Sequence, residues 1–247
     1  MVLLLEDSRQ QEKKHELKHQ WFREHDIHWN RTALYCGDYT LPGNQSVCVD
    51  TKKDIAELIG DVQVKKMPKK DILAHVNEIC WQNNIDLGVG NLLFHAITDD
   101  DSERFAEKEI NDICFKNGIS ESIIKQLQAL YVKRHGFFHR GLLRAKNSGI
   151  KLYVLVENRD GVTEIRDLFK WQNPRLNIWK NGTEVIGFYK NGRPRYKKVR
   201  KYPTATTGET LAKACMTMEF KYGVKFRFCA PEESGENILK MLGVNYE

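Results

Sequence analysis

Ser46-Val47-Cys48-Val49-Asp50-Thr51 alternates along its length, with Val47, Val49 and Thr51 on one face of a strand and Cys48 and Asp50 on the other. Just upstream, Leu41-Pro42-Gly43-Asn44 is a turn signal. Before the turn, a strand reading over residues 26–36 ends at Gly37-Asp38-Tyr39. Two strands around a Pro-Gly-Asn turn make a hairpin, so Asp38 and Asp50 belong to its two arms. Lys52 follows Asp50 by two residues and shares its face.

Working outward, residues 2–5 read as a short buried strand, and residues 9–25 as a polar helix with Leu17, Trp21 and Phe22 on its inner side. On the other side of the hairpin, residues 53–59 begin a helix. Residues 60–119 read as helical, include the acidic patch Asp99-Asp100-Asp101, and are expected to be an insertion. Residues 120–146 are helical with a break near Gly136. Residues 151–157, KLYVLVE, form an almost continuous apolar run, which suits a central strand covered on both faces. A helix over 163–171 gives way at Asn173-Pro174, and residues 177–202 read as loop and hairpin. Residues 207–222 form a helix capped by Thr206 or Thr207 and closed by Gly223. A strand over 224–229 and a helix over 234–242 complete the chain. Strands and helices alternate, which predicts an α/β fold: a mixed central sheet flanked by helices on both faces, as one domain over 1–247 with a helical insertion at 60–119.

Composition agrees with a packed core. Of 247 residues, 41% are hydrophobic and 29% charged, which excludes a disordered chain. The net charge of +6 fits nucleic-acid binding. The six cysteines form no C-x-x-C pair, which argues against a zinc ribbon or a thioredoxin-type site; they lie in apolar runs, as buried free thiols do. A reducing, intracellular compartment is expected, cytoplasmic or with the nucleoid or nucleus. Residues 1–5 are too short an apolar run for a secretion signal, and no segment reaches membrane-spanning length.

Asp38 and Asp50, at neighbouring strand ends, can hold a hard divalent cation through oxygen. A lysine beside such a cation, here Lys52, can orient or deprotonate water and offset charge developing on a phosphate. This is the D…(D/E)-x-K arrangement of metal-dependent nucleases.

The order Asp7-Ser8-Arg9, Gly37-Asp38-Tyr39, Asp50-Thr51-Lys52 and Leu155-Val156-Glu157, closed by Phe226-Arg227-Phe228 and Ser234-Gly235, resembles the nuclease domain of the XPF/Mus structure-specific endonucleases. The likeness covers about residues 2–60 and 120–243. It implies a restriction-endonuclease-like core and magnesium-dependent hydrolysis of DNA at junctions of duplex and single strand, with manganese as a substitute metal. It also implies Asp38 and Asp50 as metal ligands, Lys52 as the catalytic lysine, Asp7 and Arg9 as further active-site residues, and a homodimer. The chain departs from the family in having Asp50-Thr51-Lys52 where E-R-K is usual, and in lacking a family counterpart to 60–119. The tandem helix-hairpin-helix module usual after the family's domain is not read within these 247 residues. A catalytically inactive DNA-binding partner of the same fold, or a four-way-junction resolvase, is the alternative; retention of Asp38, Asp50 and Lys52 together favours catalysis.

Two stretches are basic. Residues 122–156 contain no acidic side chain before Glu157 and include Arg140 and Arg144. Residues 190–201, KNGRPRYKKVRK, contain Lys190, Arg193, Arg195, Lys197, Lys198, Arg200 and Lys201 and again no acid. Basic runs interleaved with aromatics suit phosphate backbones and unstacked bases, and equally a solvated surface. Gly88-Val89-Gly90 reads as an ordinary loop rather than a DNA-binding hairpin. His15 and His19 read as a polar helix face rather than a zinc pair. Glu157 either helps hold the site or makes a cap or salt bridge, and His139 either faces phosphate or lies on a helix surface.

Overall fold

The computed structural model describes residues 2–11, 16–63, 67–98 and 106–244. Six strands form one sheet in the order β2-β1-β3-β4-β5-β8: β1 (Val2–Asp7), β2 (Ile27–Thr32), β3 (Tyr39–Leu41), β4 (Asn44–Lys52), β5 (Lys151–Glu157) and β8 (Lys225–Cys229). Neighbours β1 and β2, β4 and β5, and β5 and β8 are parallel, whereas β3 runs antiparallel to both β1 and β4. Five strands therefore point one way, and β3 alone runs back between β1 and β4. The sheet is mixed and mostly parallel, with helices on both faces.

The two faces follow from the period of two along each strand. Cys48, Leu152, Val154, Val156 and Phe226 pack with α2 (Ile55–Val62), α7 (Phe137–Asn147) and α8 (Gly208–Tyr222), where Leu58, Leu142 and Leu211 are fully or almost fully buried. Leu4, Tyr39, Val49 and Leu155 pack on the opposite face against α1 (Glu16–Glu24) and α9 (Ser234–Leu242), through Phe22, Ile238 and Leu239. Each such side chain contributes about 1.5–3 kcal/mol by leaving water. β5 sits between β4 and β8 and is covered on both faces, as its apolar run requires.

A second apolar core lies in the connection from β4 to β5. There α3 (Lys69–Gln82), α4 (Leu87–Thr98), α5 (Ala106–Lys116) and α6 (Glu121–His135) bury Ile72, Leu93, Ile97, Ile110 and Leu127 among themselves. This cluster reaches Tyr131 and so takes in α6, beyond residue 119. Gly136, at φ +73°, separates α6 from α7. The connection from β5 to α8 carries a separate antiparallel ribbon of β6 (Trp179–Phe188) and β7 (Pro194–Arg200). Thr207 caps α8 by accepting from the Thr210 amide, and Gly223 closes it in the left-handed conformation.

Four expectations need correction. The strand expected over 26–36, running into Gly37-Asp38-Tyr39, is two strands on opposite sides of β1, because the chain must cross the end of β1 between them. Residues 9–11, expected to open the first helix, are not helical, and the described helix is Glu16–Glu24. Asp7 accepts from the Arg9 amide at 2.9 Å, and the Asp7 carbonyl accepts from Gln10 at 3.0 Å, which folds this segment into a turn. The helix expected over 163–171 is a short 3-10 turn, Ile165–Phe169. Gly88-Val89-Gly90 lies in the first turn of α4, where Asp86 accepts from the Gly88 amide at 2.7 Å. The acidic patch at 99–101 and His15 lie outside the described residues.

Candidate active site

The carboxyl ends of β1 and β4 flank the start of β3, so three chain segments meet at one edge of the sheet. Asp7 ends β1, Asp38 precedes β3, and Asp50 and Lys52 end β4. The Asp7 amide donates to the Asp38 carbonyl at 2.8 Å, and the Asp38 amide donates to the Val49 carbonyl at 2.7 Å. Backbone pairing thus fixes the three segments before any side chain is considered. Asp7, Asp38, Asp50 and Lys52 all line one cleft of about 270 Å³, together with Arg9, Gln10, Asp61 and Arg144. Crevices at strand carboxyl ends are where open α/β sheets place their ligands.

Asp38 is buried. Its Oδ2 accepts from the Thr51 amide at 2.6 Å and the Thr51 hydroxyl at 2.7 Å, and its Oδ1 accepts from Gln10. Burial, reinforced by the charge of Asp50, still pushes the Asp38 carboxyl up to about 7; the Thr51 bonds and Lys52 hold it back from rising further.

Lys52 Nζ lies 2.8 Å from Asp50 Oδ2 and 2.8 Å from Asp61 Oδ2, and 4.6 Å from the centre of the Phe138 ring. Burial favours its neutral form, but Asp50 and Asp61 outweigh that and raise its pKa above the usual lysine range. Burial raises the Asp50 carboxyl, with Lys52 opposing. The Asp50–Lys52 contact is an ion-pair distance without hydrogen-bond geometry, so the buried Asp50 Oδ2 has no hydrogen-bond donor.

Asp7 is buried and grips Arg9, whose Nε donates to Asp7 Oδ1 at 2.9 Å and whose Nη2 donates to the Leu34 carbonyl at 2.7 Å. Hydrogen bonding to Asp7 raises the Arg9 pKa. The Arg9 side chain nonetheless remains 63% exposed, leaving it free to meet a ligand.

The donor set suits a hard cation. Among the described residues no three His, Cys, Asp or Glu side chains are grouped to hold a metal by themselves. Magnesium does not require such a cage, since one or two carboxylates plus substrate phosphate and water commonly hold it. Asp38 and Asp50 supply those carboxylates: both line the cleft, and, beyond the effect of burial, Asp50 raises the Asp38 carboxyl, a mutual repulsion that a shared cation would relieve.

The remaining expected contacts divide. Arg144 on α7 lines the cleft and lies 5.9 Å from the Tyr35 ring. Arg140 is half-buried, pairs with Glu107 and lies 5.4 Å from the Tyr131 ring, so it ties α7 to the helical cluster. Lys190, Arg193, Arg195, Lys197, Lys198, Arg200 and Lys201 belong to the β6–β7 ribbon and do not line the cleft. Glu157 forms a buried ion pair with Lys18 on the α1 face of the sheet, away from the cleft. His19 contacts Glu6 at 3.0 Å on that same face, and His139 lies 3.3 Å from the Tyr222 hydroxyl.

Sequence reasoning missed Gln10, Thr51 and Asp61. Asp61 left a usable signal: Asp54, Glu57 and Asp61 recur at helical spacing directly after Asp50-Thr51-Lys52. Gln10 left none, since its contact with Asp38 depends on the ends of β1 and β3 meeting; Thr51 lies across the hairpin from Asp38 but has no motif of its own. Comparison with known protein families and with characterised proteins gave no match. Among the described residues no helix is long and apolar enough to cross a membrane.

Proposed function

We propose that this chain is a metal-dependent endonuclease that hydrolyses phosphodiester bonds in branched or structured DNA. One observation carries the reading: Asp7, Asp38, Asp50 and Lys52, spread over 46 positions of sequence, line a single cleft at the carboxyl ends of two parallel strands. The order of the motifs, which resembles the XPF/Mus nuclease domain, narrows the chemistry to phosphodiester hydrolysis.

Asp38 and Asp50 would hold magnesium or manganese. Such a cation, when bound, polarises the phosphoryl oxygen and makes water a better nucleophile. Lys52, kept protonated by Asp50 and Asp61, acts as an ammonium that hydrogen-bonds water or offsets charge gathering on the phosphate. Its elevated pKa argues against a role as general base. Arg9, held at one edge by Asp7 and the Leu34 carbonyl, presents its remaining N–H groups to a phosphate oxygen. Arg144 adds a second positive group to the same cleft.

The test is cleavage of end-labelled flap, fork, four-way-junction and plain duplex DNA, with magnesium and with EDTA, beside Asp50→Ala. Cleavage that needs magnesium and Asp50 and prefers a branched substrate is expected. A strict preference for the four-way junction would make the protein a resolvase. Binding without cleavage of any substrate would overturn catalysis and leave a non-catalytic DNA-binding partner.

A further inference from the structure

The segment from Trp179 to Lys201 carries eight basic residues against one acidic residue, Glu184, a net of +7. The whole chain has +6. Residues 122–156 carry a further +7, so the remainder of the chain is net acidic at −8, and the β6–β7 ribbon is the basic segment with no buried residue in its strands. Neither apolar face covers a core, so packing does not account for this element.

Resting on the reading that DNA is the partner, we propose that the β6–β7 ribbon inserts into the major groove of a DNA duplex and anchors the double-stranded arm of the substrate. Three observations carry this. The first is shape. A two-stranded ribbon fits a major groove about 12 Å wide. The ten residues of β6 extend about 33 Å at ~3.3 Å per residue, close to one helical turn of about 34 Å.

The second is the distribution of charge. β7 pairs with β6 from Pro194 to Arg200, and the register shifts fall in β6, which advances further than β7 at each. Arg195 and Lys197 therefore share one face of β7, and Lys198 and Arg200 the other. An element lying flat on a phosphate backbone needs cations on one face. A ribbon inside a groove has a phosphate wall on each side, and cations on both faces match it. The single internal ion pair, Lys197 to Glu184 at 2.9 Å, is exposed and weak.

The third is the neck. The Lys201 amide donates to the Ile178 carbonyl at 2.7 Å, and the buried Asn173 side chain donates to the Thr206 carbonyl at 2.8 Å. Arg175 and Lys201 lie 5.4 Å and 5.3 Å from the Tyr202 ring, and Arg200 lies 5.7 Å from the Trp179 ring. These contacts join the two legs of the ribbon to each other, so it leaves the body as one closed neck ahead of α8.

The test reads binding in the Asp50→Asn background in EDTA, so that cleavage does not enter. The probe is a fluorescent duplex of about 20 base pairs, with a single strand of equal length beside it. Changing Arg195, Lys197, Lys198 and Arg200 together to Gln should raise the duplex Kd about tenfold or more, and lower the slope of log K against log salt by about 3–4, near 0.9 per lost phosphate contact. The Arg195/Lys197 pair and the Lys198/Arg200 pair should each remove about half of that slope. Lys197→Arg with Lys198→Arg should bind as the parent does, which separates charge from folding. Guanine N7, which lies in the major groove, should be protected from methylation by the parent protein and exposed with the quadruple variant.

Unchanged affinity and slope in the quadruple variant would overturn the proposal, as would loss confined to one face, or binding without N7 protection. Tight association with phosphatidylserine vesicles but not with the duplex would assign the ribbon to a membrane surface and also overturn it. If the native protein cuts nothing while the ribbon variants still lose duplex affinity, the nuclease reading falls and the ribbon assignment stands. If the native protein cuts DNA and the ribbon variants bind as it does, the reverse holds.

Discussion

Thr51 gives Asp38 two hydrogen bonds to the same oxygen, 2.6 Å from its amide and 2.7 Å from its hydroxyl. It stabilises the ionised form of a buried carboxylate.

Thr51→Val retains the shape and the amide bond but removes the hydroxyl bond. The Asp38 carboxyl should then rise above its value of about 7, and the acidic limb of the cleavage profile should move to higher pH. Stability should fall by about 1–2 kcal/mol. A pH–rate profile identical to the parent's would show that Asp38 does not need this bond.

Asp38 also makes metal-free stability depend on pH. Its folded pKa, about 7, lies above the ordinary carboxylate value of about 3.9. The folded state therefore binds the proton more tightly than the unfolded state does. The stability this contributes is fully present below about pH 4 and is lost as pH rises through about 7. Urea unfolding of the parent and Asp38→Asn in EDTA should show the variant gaining on the parent between pH 5 and pH 8. Parallel curves at both values would contradict the elevated carboxyl.

Asp61 acts through Lys52 rather than on substrate, and is a positioning residue. Asp61→Asn removes one of the two carboxylates that raise the lysine. The alkaline limb of the cleavage profile should move to lower pH, and the rate at neutral pH should fall roughly tenfold, about 1.4 kcal/mol of transition-state stabilisation. Asp61→Glu should restore the limb. A loss of rate with no change in the profile would indicate a merely structural role.

Gly37 holds Asp38 in place from the other side. Its φ of +69° is left-handed, and an added Cβ would lie 3.0 Å from both the Cys48 Cβ and the Val49 carbonyl oxygen. Gly37→Ala should cost about 1–3 kcal/mol and should reduce cleavage more than it reduces DNA binding, because Asp38 is the next residue. Retention of full activity with a normal melting temperature would show that the turn tolerates a side chain.

The sequence by itself determined the elements whose signal is local. Residues 46–52 had to be a strand because their side chains alternate, KLYVLVE a central strand because it is apolar on both faces, and α8 a helix because Thr207 caps it and Gly223 ends it. It also brought Asp38, Asp50 and Lys52 to one edge of the sheet, since a hairpin register is itself local. Tertiary structure decided the rest. Whether residues 26–41 were one strand or two depended on where β1 lay, and no residue in that stretch encodes this. Gln10 became a partner of Asp38 and Lys18 of Glu157 because strand ends and helices from different parts of the chain meet in space. Such contacts are set by packing against the whole sheet, and the pattern of residues along the chain carries little of it.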